Sequence, residues 1–271
     1  MNLIIYTVIV ALAIGFALGI LLGLFKKIFA VQVDPKVQEV REALSGANCG
    51  GCGYAGCDAF AEAVVKGEAE VTGCVAGGAS VAAKVAEVMG VSAGSSEPKI
   101  AFLACAGTNE RAQEKGEYEG VKTCAAAQLT MNGTKKCAFG CIGFGDCAEA
   151  CPFGAITMGA DGLPKVDVEK CVGCGKCAKT CPKHLFTLIA KDTAGAIARC
   201  SNHSDNKPQI KKDCSVGCFK CGMCVRKCPV GCINIATGIP QIDYNQCVSC
   251  GECVKACPDH VLTLIGKMKL A

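Results

Sequence analysis

Four cysteine runs between residues 137 and 257, each closed by a Cys-Pro pair, constrain this chain more than any other feature. Cys171-x-x-Cys174-x-x-Cys177-x-x-x-Cys181-Pro182 returns 76 positions later as Cys247-x-x-Cys250-x-x-Cys253-x-x-x-Cys257-Pro258. Upstream of the second stands Cys218-x-x-Cys221-x-x-Cys224-x-x-x-Cys228-Pro229, and upstream of the first Cys137-x3-Cys141-x5-Cys147-x3-Cys151-Pro152. Thiols this close together cannot meet the geometry of most disulfides, and such a density of free cysteines belongs in a reducing compartment. Structural zinc takes two Cys-x-x-Cys pairs and no proline signature, so tandem proline-closed runs argue against it.

The spacing is that of bacterial ferredoxins, where three cysteines of one run and the pre-proline cysteine of the other half ligate each [4Fe–4S] cubane. Exchange of that kind gives four sets here: Cys218, Cys221, Cys224 with Cys257; Cys247, Cys250, Cys253 with Cys228; Cys171, Cys174, Cys177 with Cys151; and Cys137, Cys141, Cys147 with Cys181. The last set departs from the pattern. Aligning CAFGCIGFGDCAEACP on CSVGCFKCGMCVRKCP matches Cys137 to Cys214 and Cys141 to Cys218, and puts Phe144 where Cys221 stands. Cys137, one turn upstream, is the expected replacement ligand. Short β segments flank the loops, 155–158 with 165–167 and 233–235 with 241–243, as small antiparallel hairpins require.

At the other end of the chain, Leu3 to Phe25 carries no charge. At 1.5 Å per residue it reaches roughly 35 Å, enough for a hydrocarbon core of about 30 Å. A signal peptide would open on basic residues and end at a small-residue cleavage site, whereas this stretch ends in Lys26-Lys27. Those lysines place the C-terminal region in the cytoplasm by the positive-inside rule. Gly15, Gly19 and Gly23 repeat every four residues as a smooth packing face for another membrane helix.

Between the two comes Asn48-Cys49-Gly50-Gly51-Cys52-Gly53-Tyr54-Ala55-Gly56-Cys57, with Cys74 closing a C-x2-C-x4-C-x16-C set. Its glycines let the backbone wrap tightly, so Cys49, Cys52, Cys57 and Cys74 are expected to hold a fifth cluster. Helices are expected at 34–46, 58–65 and 81–89, and GVSAGSSEP at 90–98 reads as a linker. The expected fold is α+β: a transmembrane anchor (1–27), a small helical four-cysteine module (28–92), a linker with extra cysteines (93–134) and two tandem two-cluster ferredoxin-like units (135–205 and 206–271). Twenty-five cysteines, 33 glycines and no tryptophan suit modules built on inorganic cores. A net charge of +4 gives no reason to expect a nucleic-acid partner.

Five clusters leave Cys105, Cys124, Cys200, Cys214 and Cys232. Cys124 lies thirteen residues before Cys137 and Cys200 fourteen before Cys214, so Cys105, Cys124, Cys200 and Cys214 form a candidate sixth set tying the units together. Free thiols are the plainer reading. Cys137 is also open to this extra site, which would leave Cys141, Cys147 and Cys181 incomplete. His184 and His260 follow equivalent Cys-Pro pairs and read as structural, with His203 in a polar loop. The pairs Lys26-Lys27, Lys135-Lys136 and Lys211-Lys212 read most simply as solvated charges.

Over nearly its whole length the chain resembles the B subunits of the Rnf (Rsx) ion-translocating electron-transport complexes. The resemblance rests on the charge-free N-terminal helix, NCGGCGYAGC with Cys74, CAGTNERAQEKGEYEG, GCIGFGDCAEACPFGAI and the runs behind it. It implies a single-pass, cytoplasm-facing subunit of a ferredoxin:NAD oxidoreductase, itself an electron carrier. Reduced ferredoxin would be the donor, membrane subunits and a flavin- and NAD-binding subunit the partners, and Na+ or H+ the coupled ion. An iron–sulfur subunit of a different membrane reductase is the nearest alternative.

Overall fold

A computed structural model describes residues 2–28, 34–94 and 97–266. Residues 29–33 of the expected four-cysteine module, 95–96 of the expected linker and 267–271 at the end of the second ferredoxin-like unit lie outside the described residues.

α1 (Asn2–Ile28) is one uninterrupted helix. Its stretch Ile5–Phe25, with a mean hydropathy of 2.8, is long and apolar enough to cross a bilayer and exposes its apolar side chains on every face. A Cβ added at Gly15, Gly19 or Gly23 would meet nothing within 4 Å.

Three helices build the next module. α2 (Pro35–Ala43) starts where the Asp34 carboxylate accepts a hydrogen bond from the Lys36 amide at 2.9 Å and proline fills the first turn. α3 (Cys57–Val65) and α4 (Gly78–Met89) follow. Val40, Phe60, Val64 and Val85 are fully buried between them and share one apolar core with Cys57 and Cys74. Arg41 pairs with Asp58 at 2.6 Å across α2 and α3.

The remainder is two copies of a plan with one long-range antiparallel strand pair, one hairpin and two short helices. In the first, β1 (Lys99–Leu103) pairs antiparallel with β4 (Phe186–Ala190), Leu103 opposite Phe186, and β2 (Ile156–Met158) pairs with β3 (Pro164–Val166). In the second, β5 (Gly195–Ala198) pairs with β8 (Leu262–Ile265), Ala198 opposite Leu262, and β6 (Ile233–Asn234) pairs with β7 (Gln241–Ile242). The inner hairpins fall where the sequence suggests. The outer strand pairs were not expected: β1 lies in the stretch read as a linker, and β5 lies ahead of the expected boundary at 205. Alternation explains β1, whose Ala101 and Leu103 are buried with Leu185 and Phe186. Burying Leu103, Leu185 or Phe186 is worth about 1.5–3 kcal/mol apiece.

Four short helices follow the cysteine loops: α6 (Asp146–Glu149), α7 (Lys176–Thr180), α9 (Met223–Arg226) and α10 (Glu252–Lys255). Two longer ones lie ahead of the first loop of each copy, α5 (Cys124–Met131) and α8 (Lys207–Asp213).

Candidate metal centres

The four cysteine loops share one backbone. Before the second cysteine of each regular loop stands a residue with positive φ, Gly173 at 66°, Lys220 at 58° and Ser249 at 57°. Gly143 occupies the same place at 93°, although Phe144 follows it instead of a cysteine. Each loop then ends on a left-handed glycine that caps its helix, Gly145, Gly175, Gly222 and Gly251. Lys220 and Ser249 hold a conformation costing roughly 1–2 kcal/mol outside glycine, so the loop shape is imposed by what it surrounds. Downstream, Gly154, His184, Gly231 and His260 all take positive φ and close a turn back to the pre-proline cysteine. Both histidines are thus turn residues, and His203 bonds the Thr237 carbonyl at 3.0 Å.

The structure brings the cysteines of three of the expected sets together. Cys151, Cys171, Cys174 and Cys177 line one pocket, and Cys228, Cys247, Cys250 and Cys253 line another. Cys218 and Cys224 face Cys221 and Cys257 closely enough for their charges to interact. In the helical module, Cys57 opens α3, Cys74 is buried against the same core and Cys52 packs on it. The Cys57 amide donates to the Asn48 side chain at 2.8 Å, which folds the loop back on itself.

The fourth ferredoxin-type set is different from the one anticipated. Cys141, Cys147 and Cys181 line a pocket with Cys124, not with Cys137. The reason is local. The Asp146 carboxylate, just inside the cysteine run, accepts from the amides of Cys124 at 2.7 Å and Ala125 at 3.1 Å. The Thr123 hydroxyl caps the same helix by accepting from Ala126 at 3.2 Å. Together they fix the start of α5 over the loop that lacks its second cysteine. Cys137 lines a separate pocket with Cys105, Cys200 and Cys214, so the candidate sixth set exchanges Cys124 for Cys137. Thirteen-residue spacing misled because insertions of unequal length separate the strands from the loops. The usable signals were the alignment of Cys137 with Cys214 and a Thr–Cys helix start.

Cys232, unassigned by spacing, lines the same pocket as Cys228, Cys247, Cys250 and Cys253, its sulfur 3.5 Å from that of Cys228. Lys135 also departs from expectation. It is 3% exposed and donates to the Gly107 carbonyl at 2.7 Å, whereas Lys136 and Lys212 are exposed and Lys211 pairs with Asp259.

The residues suit iron–sulfur clusters. The thiols ring apolar pockets, and among the described residues no three His, Cys, Asp or Glu groups converge as tightly as a single ion needs. Amides point at sulfur: Ala101 to Cys171 at 3.4 Å, Val261 to Cys257 at 3.3 Å, Cys141 to Cys105 and Cys218 to Cys200 at 3.5 Å. Such bonds tune cluster potentials. Burial pushes the thiols of Cys141 and Cys177 up to about 12 and those of Cys147 and Cys200 to about 11, with neighbouring thiols adding to the effect at Cys141, Cys177 and Cys147. Ligation requires the thiolate, so loading these pockets releases protons.

The sets also abut one another. Cys49 and Gly51 lie against Cys174, where a Cβ on Gly51 would sit 2.8 Å from the Cys174 carbonyl oxygen. Cys177 interacts with Cys147, Cys141 with Cys105 and Cys200 with Cys218, and the sets of Cys218 and Cys253 share one buried cluster.

A family model for an Fe-S cluster matches residues 44–76, and one for a 4Fe-4S dicluster domain matches residues 136–185 and 217–261. The B subunit of an ion-translocating oxidoreductase complex from Methanosarcina acetivorans is 37% identical over 91% of this chain and 92% of its own length. The B subunit of a Na(+)-translocating ferredoxin:NAD(+) oxidoreductase complex from Acetobacterium woodii is 45% identical over 82% of this chain and 66% of its own. A proton-translocating counterpart from Clostridium ljungdahlii is 40% identical over 91% and 87%.

Proposed function

The chain belongs to the B-subunit family of ion-translocating oxidoreductase complexes, and from that premise we propose that it takes electrons from reduced ferredoxin and carries them toward a flavin- and NAD-binding subunit. It is an iron–sulfur electron-transfer subunit of a ferredoxin:NAD oxidoreductase. A bound [4Fe–4S] cluster supplies one-electron chemistry at a potential set by burial and by hydrogen bonds to sulfur.

Five clusters are held by Cys49, Cys52, Cys57 and Cys74; by Cys151, Cys171, Cys174 and Cys177; by Cys124, Cys141, Cys147 and Cys181; by Cys218, Cys221, Cys224 and Cys257; and by Cys228, Cys247, Cys250 and Cys253. The observation that carries this reading is the run of neighbouring thiols that leads from Cys49 through Cys174, Cys147, Cys105 and Cys200 to Cys218 and Cys253. Charge moves through a protein only where redox centres lie close to one another, and these residues put their sets side by side. The strand pairings support module limits that draw 99–103 into the first ferredoxin unit and 195–198 into the second.

α1 anchors the chain, with the cluster-bearing region on the cytoplasmic side, where Lys26 and Lys27 follow the span. The face of Gly15, Gly19 and Gly23 packs against a helix of a membrane subunit. The span contains no Asp, Glu, His, Lys or Arg, so Na+ or H+ crosses through other subunits.

The test is iron and acid-labile sulfide content with low-temperature electron paramagnetic resonance on anaerobically purified full-length protein, before and after adding reduced ferredoxin. At least about twenty irons per chain, with signals that appear on adding ferredoxin, are expected. Zinc in place of iron, or a full iron load that ferredoxin leaves oxidised, would overturn the reading.

A further inference from the structure

Outside the five sets, and apart from Cys232 in the pocket of one of them, four thiols meet at the junction of the two ferredoxin units. We propose that Cys105, Cys137, Cys200 and Cys214 bind a sixth [4Fe–4S] cluster that joins the units, an inference that rests on the relay reading above.

Internal duplication carries the argument. Leu103 faces Phe186 in the first outer strand pair and Ala198 faces Leu262 in the second. Cys105 therefore stands two residues past the end of its strand, as Cys200 does past Ala198. Cys137 lies four residues before Cys141, as Cys214 lies before Cys218. Each unit thus contributes one thiol after its first strand and one ahead of its first cysteine loop. Even the hydrogen bonds repeat: the amide of Cys141 donates to the Cys105 sulfur and that of Cys218 to the Cys200 sulfur, both at 3.5 Å. Four thiols arranged as two equivalent pairs around one pocket make a site of the same donor count as the other five.

The junction is built to hold that site rigid. Residues 111–115 run between the two units, with Gln113 donating to the Asp213 carbonyl at 2.8 Å and accepting from Lys136 at 2.7 Å, while the Ser215 amide donates to Arg111 at 2.9 Å. The Ser201 hydroxyl and the Arg199 guanidinium donate to the carbonyls of Ala104 and Cys105. Buried Asn202 aims its amide side chain at the Cys137 sulfur and its backbone amide at the Cys200 sulfur, each at 3.5 Å.

Lys135 supplies the second observation. Among the described residues it is the one buried lysine or arginine, and no carboxylate pairs with it. Its Nζ is held by the Gly107 carbonyl, and Gly107 lies against the sulfurs of Cys105 and Cys214. A buried ammonium without an anion is costly. A cluster ligated by four thiolates supplies the anion, and Lys135 in turn favours its more negative, reduced form.

The site also closes the series. Cys105 touches the set of Cys141, and Cys200 touches the set of Cys218, so this centre is the connection between one ferredoxin unit and the other.

Metal and sulfide analysis with electron paramagnetic resonance on full-length Cys105→Ala and Cys200→Ala tests this. Wild type should hold about twenty-four irons, and each variant should lose up to about four of them, with one signal missing and the others intact. Wild type with about twenty irons, reducible by ferredoxin and unchanged in both variants, overturns the sixth site and leaves the relay standing. Zinc in place of iron in wild type overturns both. Should the alanine variants lose far more iron, Lys135→Gln decides, since glutamine keeps a donor for Gly107 without the charge. A lower midpoint potential for one signal at full iron content supports the site, and unchanged midpoints overturn it.

Discussion

Cys124→Ala should cost the protein one cluster, and Phe144→Cys in the same chain should restore it. Phe144 occupies the place of Cys221 in the regular run, and Gly143 before it already has the positive φ that Lys220 has before Cys221. A cysteine at 144 therefore meets a backbone already shaped to present it. The exchange has a price in packing. Phe144 is half-buried, with its ring 5.7 Å from that of Tyr118. Truncating a fully buried phenylalanine costs about 3–5 kcal/mol, so about half is at stake here. The retained sulfur and the lost ring pair, worth about 1 kcal/mol, roughly offset each other. A loss near 2 kcal/mol lowers the melting temperature by about 4–8 °C in a chain of this size. Iron and sulfide analysis is the assay. Cys124→Ala should lose about one iron, if a single corner leaves, up to about four, while Phe144→Cys alone stays full and the double variant recovers. Refutation is equally plain: full iron in Cys124→Ala, together with a loss in Cys137→Ala that Phe144→Cys repairs, would return Cys137 to the ferredoxin-type set.

Asp146→Ala removes the carboxylate that caps α5 and should lower stability by about 1–2 kcal/mol, read as a drop of a few degrees in anaerobic melting, with the Cys124 set the first to lose iron on warming. Gly51→Ala puts a methyl 2.8 Å from the Cys174 carbonyl oxygen and pushes the helical module off the first ferredoxin unit. Iron content should stay constant while the magnetic coupling between those two centres weakens in the reduced protein; unchanged coupling would show that the contact does not set their spacing. Removing iron with a chelator under reducing conditions should unfold both ferredoxin units, because four of the ten buried residues in each unit's core are cysteines, and retention of the native circular dichroism would refute a metal-built core. Leu185→Ala, at a site 1% exposed beneath β1 and β4, should cost about 2–5 kcal/mol, measured by melting of the iron-loaded protein.

Much of this architecture is readable from local pattern. The Cys-x-x-Cys runs specify their loops because three thiols two residues apart leave the backbone one way to turn, and the positive φ values at Gly173, Lys220 and Ser249 follow from that turn. A charge-free stretch of bilayer length specifies α1 without reference to anything else in the chain. The inner hairpins are equally local, since β2 with β3 and β6 with β7 are joined by short connections.

Tertiary structure decided what depends on distant partners. β1 and β4 are separated by more than eighty residues, so no local period announces their pairing, and a strand of five residues looked like linker. The same holds for the thiols. Cys124 reaches the first ferredoxin unit because Asp146, twenty-two positions away, holds the start of its helix, and Cys137 is drawn to Cys105, Cys200 and Cys214 by strand pairings that bring two insertions of unequal length to one junction. Lys135 reads as a solvated charge beside Lys136, and only the packing of both units around Gly107 buries it. Sequence determined which residues can ligate a cluster, because that depends on side-chain chemistry and short-range spacing. Which four thiols meet depends on long-range pairing, whose free energy comes from burial and hydrogen bonds between segments far apart in the chain.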